Sequence, residues 1–143
     1  MSGTEVVESG SAAATEALGA RIGDALGPGD IVVLSGELGS GKTTLIRGAC
    51  RALGFAGPVT SPTFTIGQRY DGGSVPISHL DLYRLADLDS EDPALLDDYL
   101  GHDRVAFVEW PDAGSDRLGP PAVRVRLSHV GEEERRIEVD WQG

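Results

Sequence analysis

The sequence predicts an α/β fold, a mixed sheet flanked by helices, and three observations carry that prediction. A short β-branched run, Ile31-Val32-Val33-Leu34, has the composition of a buried strand. It is followed at once by the glycine-rich stretch Gly36-Glu37-Leu38-Gly39-Ser40-Gly41-Lys42-Thr43. Next comes a segment with apolar residues at Leu45, Ile46, Ala49, Cys50 and Leu53, the spacing of one helix face. Strand, glycine loop and helix in that order form a βα unit, and the later segments alternate between the two periods as a layered α/β domain requires.

The elements follow in order. Residues 1–10 read as a flexible leader, and 11–143 as a single domain. Ser11 offers a side-chain oxygen to cap a helix from about Ala12 to Leu26, with Leu18, Ile22, Ala25 and Leu26 on one face. Gly27-Pro28-Gly29-Asp30 is a turn into the first buried strand. The helix over 44–53 stops at Gly54. Residues 64–70 and 75–83 flank Asp71-Gly72-Gly73 and read as a strand hairpin. Asp92-Pro93 opens a short helix with Leu95, Leu96, Tyr99 and Leu100 on its apolar face, and 104–110 is a further strand. Val123, Val125 and Leu127, then Ile137, Val139 and Trp141, alternate as two closing strands. The assembly these elements imply is a P-loop NTPase-like three-layer sandwich, with a mixed central sheet between helices.

Composition bounds the function. With 143 residues and 40% hydrophobic content the chain can build one ordinary core. A net charge of −11 opposes independent binding to nucleic acid, whose phosphates are held largely by lysine and arginine. Cys50 is the sole cysteine, so no disulfide forms within the chain, and its place on an apolar helix face suits core filling. No run is long and apolar enough for a membrane span, and no export signal opens the chain, so a cytoplasmic location is expected.

The stretch from Gly36 to Thr43 is a complete G-x-x-x-x-G-K-[ST] loop, and Lys42 is the only lysine present. Glycines let successive backbone N–H groups approach a phosphate, and the helix that follows adds its N-terminal partial charge. Gly36, Gly39, Ser40, Gly41, Lys42, Thr43 and Thr44 are therefore the expected nucleotide-binding residues. Lys42 would reach the terminal phosphates, and Thr43 would offer its hydroxyl to Mg2+.

Two acids are candidates for the chemistry. Glu109 ends the apolar run Val105-Ala106-Phe107-Val108, and the carboxyl end of a strand covered on both faces is where an open α/β sheet places ligands. It can hold magnesium directly or through water, or position an attacking water; the alternative is a carboxylate facing solvent. Asp81 shares a strand face with His79 and Tyr83, opposite Leu80 and Leu82, and can complete a metal shell or simply pair with an arginine such as Arg84. His79 reads as a hydrogen-bonded strand residue. In Ser61-Pro62-Thr63-Phe64-Thr65, Thr63 or Thr65 can sense a terminal phosphate or only stabilise its own turn. Trp110 fits the core, a wall of the nucleotide site or a partner contact.

The loop from Gly36 to Thr44, Ser61-Pro62-Thr63-Phe64-Thr65, His79-Leu80-Asp81-Leu82-Tyr83-Arg84 and Glu109-Trp110-Pro111 occur in the order and approximate spacing of the TsaE (YjeE) family of small bacterial ATPases, and the chain resembles that family over nearly its whole length. The resemblance implies an ATP- and Mg2+-dependent hydrolase acting in threonylcarbamoyladenosine formation on tRNA. It implies partners, TsaB and TsaD, with TsaD carrying the transfer chemistry and tRNA met only through the complex. It further implies that Glu109 ligates magnesium and that Asp81 and Trp110 support hydrolysis, with Lys42, Asp81 and Glu109 as the catalytic set.

Other classes fit less well. A guanine reader of the Asn-Lys-x-Asp type would need a second lysine. A small-molecule kinase remains the main rival, although the chain is short for an added substrate lid. A nucleotide-dependent assembly module without essential hydrolysis is the third reading.

Overall fold

A computed structural model of the chain describes residues 3–37, 40–60, 67–81, 99–109 and 121–142. Its elements are β1 (Gly3–Ser9), α1 (Ala12–Asp24), β2 (Ile31–Gly36), α2 (Lys42–Ala52), β3 (Gly67–Tyr70), β4 (Ile77–Asp81), β5 (Val105–Glu109), β6 (Val123–His129) and β7 (Arg135–Trp141). The strands form one seven-stranded sheet in the order β1-β7-β6-β2-β5-β4-β3. β4, β5, β2 and β6 run parallel, while β3 pairs antiparallel with β4, and β7 with both β6 and β1. The sheet is mixed and the fold is α/β, as expected.

Both described helices lie on one face. Leu18 and Ile22 of α1 and Leu45, Ile46, Ala49 and Cys50 of α2 pack with Val32, Leu34, Phe107, Val125 and Ile137 from the strands. On the other face Val33, Leu80, Ala106 and Val108 are buried beneath Ile31, Tyr99 and Leu100. β5 is buried along its whole length because it is covered on both sides, which is why its sequence does not alternate. The short helix expected from Asp92-Pro93 onward lies outside the described residues up to position 98, and only Tyr99 and Leu100 can be placed.

Helix α1 runs from Ala12 to Asp24 with Leu18 and Ile22 inward and Leu26 packed against the core, as expected, and its buried face extends over two glycines. Thr15, Leu18, Gly19, Ile22 and Gly23 are buried, whereas Ala25 caps the helix. A Cβ on Gly23 would stand 2.6 Å from the Ala49 carbonyl oxygen; Gly19 faces the Leu45 carbonyl and Gly48 the Glu16 carbonyl just as tightly. The two helices therefore cross backbone against backbone, which only residues without a Cβ allow. Ser11 caps α1 as expected, accepting from the Ala14 N–H at 3.1 Å.

The leader is a correction. Residues 3–9 form β1, in register with β7 from Gly3↔Trp141 to Ser9↔Arg135. Ser9 is buried with its Oγ 2.6 Å from Thr15 Oγ1, Glu5 pairs with Arg21 at 2.8 Å, and Val7 packs against the core. An edge strand with a single inward aliphatic residue has too weak an alternation to be read locally. Its partner is more than a hundred residues away in sequence.

Candidate functional site

The register of the parallel strands brings the site together. β2, β5 and β4 are neighbours, with Leu34 opposite Glu109 and Glu109 opposite Asp81. All three strands point the same way, so the loop leaving β2 and the acids closing β5 and β4 share the carboxyl edge of the sheet. Leu34 and Phe107 belong to the core beneath the helices, so by alternation Glu109 and Asp81 lie on the same side as α2.

The loop itself is built for an anion. Gly36 sits at φ 154° and Gly41 at φ 102°, in backbone conformations that favour glycine. A Cβ on Gly36 would meet the Leu127 carbonyl at 2.6 Å and Ser40 Oγ at 2.7 Å. Helix α2 begins at Lys42 with no side-chain cap and no acid in its first turn, so its N-terminal N–H groups are not claimed by a capping side chain. Ser40 Oγ is buried without a hydrogen-bond partner among the described residues. A phosphate fits both observations.

Lys42 is buried and donates to the Gly36 carbonyl at 2.6 Å and to the Glu37 carbonyl at 3.1 Å, so the ammonium lies along the mouth of the loop. Burial lowers its pKa from the ordinary 10.5, and the charges of Glu109 and then Asp81 work against that shift. Both acids thus act on the same ammonium.

The residues expected to serve a metal, Thr43, Glu109 and Asp81, all offer oxygen donors. Among the described residues no three or more His, Cys, Asp and Glu side chains gather into a metal cluster. Mg2+ in general is bound by one or two carboxylates, with phosphate oxygens and water completing its octahedron.

Glu109 is buried and its Oε2 lies 2.7 Å from His79 Nε2. His79 is thus hydrogen-bonded, as read from sequence, and its partner is Glu109, one of the two candidate acids. The Tyr70 hydroxyl lies 3.0 Å from His79 Nδ1, a contact that no local motif in the sequence marks. The available signal was strand parity: His79 and Asp81 share a face, and Tyr70 closes the hairpin partner of that strand. Gly39, Thr63, Thr65, Tyr83, Arg84 and Trp110 lie outside the described residues.

A glycine loop leading from a buried strand into a lysine-headed helix, with carboxylates on the adjoining parallel strands, defines the P-loop class of α/β proteins. Comparison with known proteins narrows the class. The model of the family described as "Threonylcarbamoyl adenosine biosynthesis protein TsaE" matches residues 9–137, and the chain belongs to the TsaE family. It is 40% identical over 110 residues to the tRNA threonylcarbamoyladenosine biosynthesis protein TsaE of Bacillus subtilis, covering 77% of this chain and 68% of that protein. With the Streptomyces coelicolor protein of the same name it shares 41% identity over 133 residues, 88% of this chain and 89% of the relative. The Mycobacterium tuberculosis counterpart is 41% identical over 131 residues, 86% and 78% of the two chains. Among solved structures, Bacillus subtilis YdiB is similar with a TM-score of 0.71 at 28% identity, covering all of this chain and 88% of that one.

Proposed function

We propose that this protein is a Mg2+-dependent ATPase of tRNA threonylcarbamoyladenosine formation, acting with TsaB and TsaD and resetting their complex by hydrolysis. The observation that carries the reading is the convergence of Lys42, Glu109 and Asp81 at the carboxyl edge of adjacent parallel strands. Family membership supports the pathway; the names of the relatives supply the tRNA product.

Each residue has a role that its position supports. The N–H groups around Gly36, Ser40 and Gly41 and the start of α2 hold the phosphates, and Lys42 neutralises their charge. Thr43 and Glu109 hold Mg2+, which when bound offsets the charge on the transferred phosphoryl group. Asp81, in register with Glu109, orients the water or the metal's water shell. A chain of net charge −11 leaves tRNA binding to its partners. Among the described residues no helix is long and apolar enough to cross a membrane, and we place the protein in the cytoplasm with its substrate complex.

The test is reconstitution with TsaB and TsaD. ATP turnover should be slow for the isolated chain, rise on addition of the partners, and fall at least about 100-fold in Glu109→Gln while ATP affinity measured in EDTA stays within about threefold. A Glu109→Gln protein as active as wild type would make that carboxylate structural. Transfer of a phosphoryl group to a small molecule instead of to water would favour the kinase reading.

A further inference from the structure

Glu109 is held from behind. His79 pairs in register with Phe107, two residues before Glu109, so its imidazole sits one step back from the acids on the same face of the sheet. His79 is fully buried, with Nε2 2.7 Å from Glu109 Oε2 and Nδ1 3.0 Å from the Tyr70 hydroxyl. The Tyr70 ring is itself stacked on Phe55, with centroids 4.9 Å apart. We propose that His79 and Tyr70 are positioning residues that fix the Glu109 carboxylate for its ligand. This rests on the reading of Glu109 as a magnesium–nucleotide acid.

The proton arrangement follows from chemistry. An ionised carboxylate only accepts, so the proton lies on His79 Nε2, which donates to Oε2. In the neutral ring Nδ1 is then an acceptor, and the Tyr70 hydroxyl at 3.0 Å has one proton to offer to Nδ1, to the Thr60 carbonyl at 3.1 Å or to Gln68 Oε1 at 3.1 Å. With that proton directed to Nδ1, Tyr70 sets the tautomer and opposes a ring flip that would exchange the two nitrogens. The Phe55 stack fixes Tyr70 in turn. Holding Oε2 removes rotamer freedom from Glu109 and directs Oε1 to the cation or its water. Partners of this kind behind a metal ligand are commonly worth about 10–100-fold in metal affinity.

A merely structural histidine would lower stability without changing how magnesium contributes to binding. ATP is therefore titrated calorimetrically, with Mg2+ and with EDTA, into the full chain and its His79→Leu, His79→Gln and Tyr70→Phe variants. His79→Leu should lose about tenfold or more of the affinity gained from Mg2+, with affinity in EDTA within about twofold of wild type. His79→Gln, which keeps an N–H donor near the Nε2 position, should recover most of the loss. Tyr70→Phe keeps the ring stack and should lose about threefold. A folded His79→Leu protein with the full magnesium gain overturns the proposal. Should that variant not fold, Tyr70→Phe and the imidazole 15N spectrum of the wild type decide. A proton on Nε2, with an Nδ1 resonance that moves in Tyr70→Phe, supports the chain of hydrogen bonds, whereas a proton on Nδ1 excludes it. If wild type gains nothing from Mg2+, it is the reading of the site that fails, and the imidazole spectrum still decides the positioning.

Discussion

Lys42 is both the most legible residue in the chain and the one under the strongest opposing demands. Its ammonium must leave water to line the loop, which lowers its pKa, while Glu109 and Asp81 restrain the shift. Lys42→Met should therefore abolish productive ATP binding while changing the unfolding free energy of the nucleotide-free protein by no more than about 1 kcal/mol. ATP titration beside urea denaturation checks both halves. Wild-type affinity in the variant would remove the loop from the site. Among the described residues, two buried groups bear on stability in alkali. Burial is the main cause in each case, lifting the Cys50 thiol from 9.0 to about 12 and the Tyr70 hydroxyl from 10.0 to about 12. Both are retained protonated in the fold, so their stabilisation is complete below pH 9 and is lost as pH rises towards 12. Urea midpoints should fall from about pH 9 upward, and Cys50→Ala should fall with a slope smaller by roughly one proton. An unchanged slope would mean that the thiol ionises as easily in the folded protein as in the unfolded one.

At the level of elements, the crossing of α1 and α2 decides where the phosphate loop sits. Gly19, Gly23 and Gly48 admit the neighbouring backbone so closely that any side chain must push the helices apart. Gly48→Ala gains helix propensity in isolation, yet here it should cost about 2–3 kcal/mol by overpacking against the Glu16 carbonyl. The control is Gly27→Ala, where a Cβ meets nothing within 4 Å. Urea unfolding of the pair gives the comparison, and equal stabilities would show that the helices can separate without cost. Periodicity located α1 and the inward Leu18 and Ile22 but not the glycines beside them, because a hydrophobicity pattern scores glycine as neutral. Close packing makes it the residue of choice.

Across the whole molecule, β1 closes the sheet. It covers the edge of β7, brings Ser9 to Thr15 and places Thr15 beside Gly41 of the loop, its methyl 3.6 Å from where a Cβ of Gly41 would stand. Deleting residues 1–9 should lower the melting temperature by about 10 °C, the equivalent of roughly 3 kcal/mol for a chain of this size. Thermal unfolding with and without that segment checks it, and an unchanged midpoint would restore the flexible leader. The sequence by itself determined the βα unit, the phosphate loop, the two acids and most strands, because each depends on neighbours within a few residues: a glycine spacing, a period of two or 3.6, an acid ending an apolar run. Tertiary structure alone decided that Glu109 and Asp81 stand in register beside the loop, that His79 and Tyr70 hold Glu109, and that residues 3–9 are a strand. Those outcomes depend on pairings between residues far apart in the chain, and no local pattern encodes which distant strand becomes a neighbour.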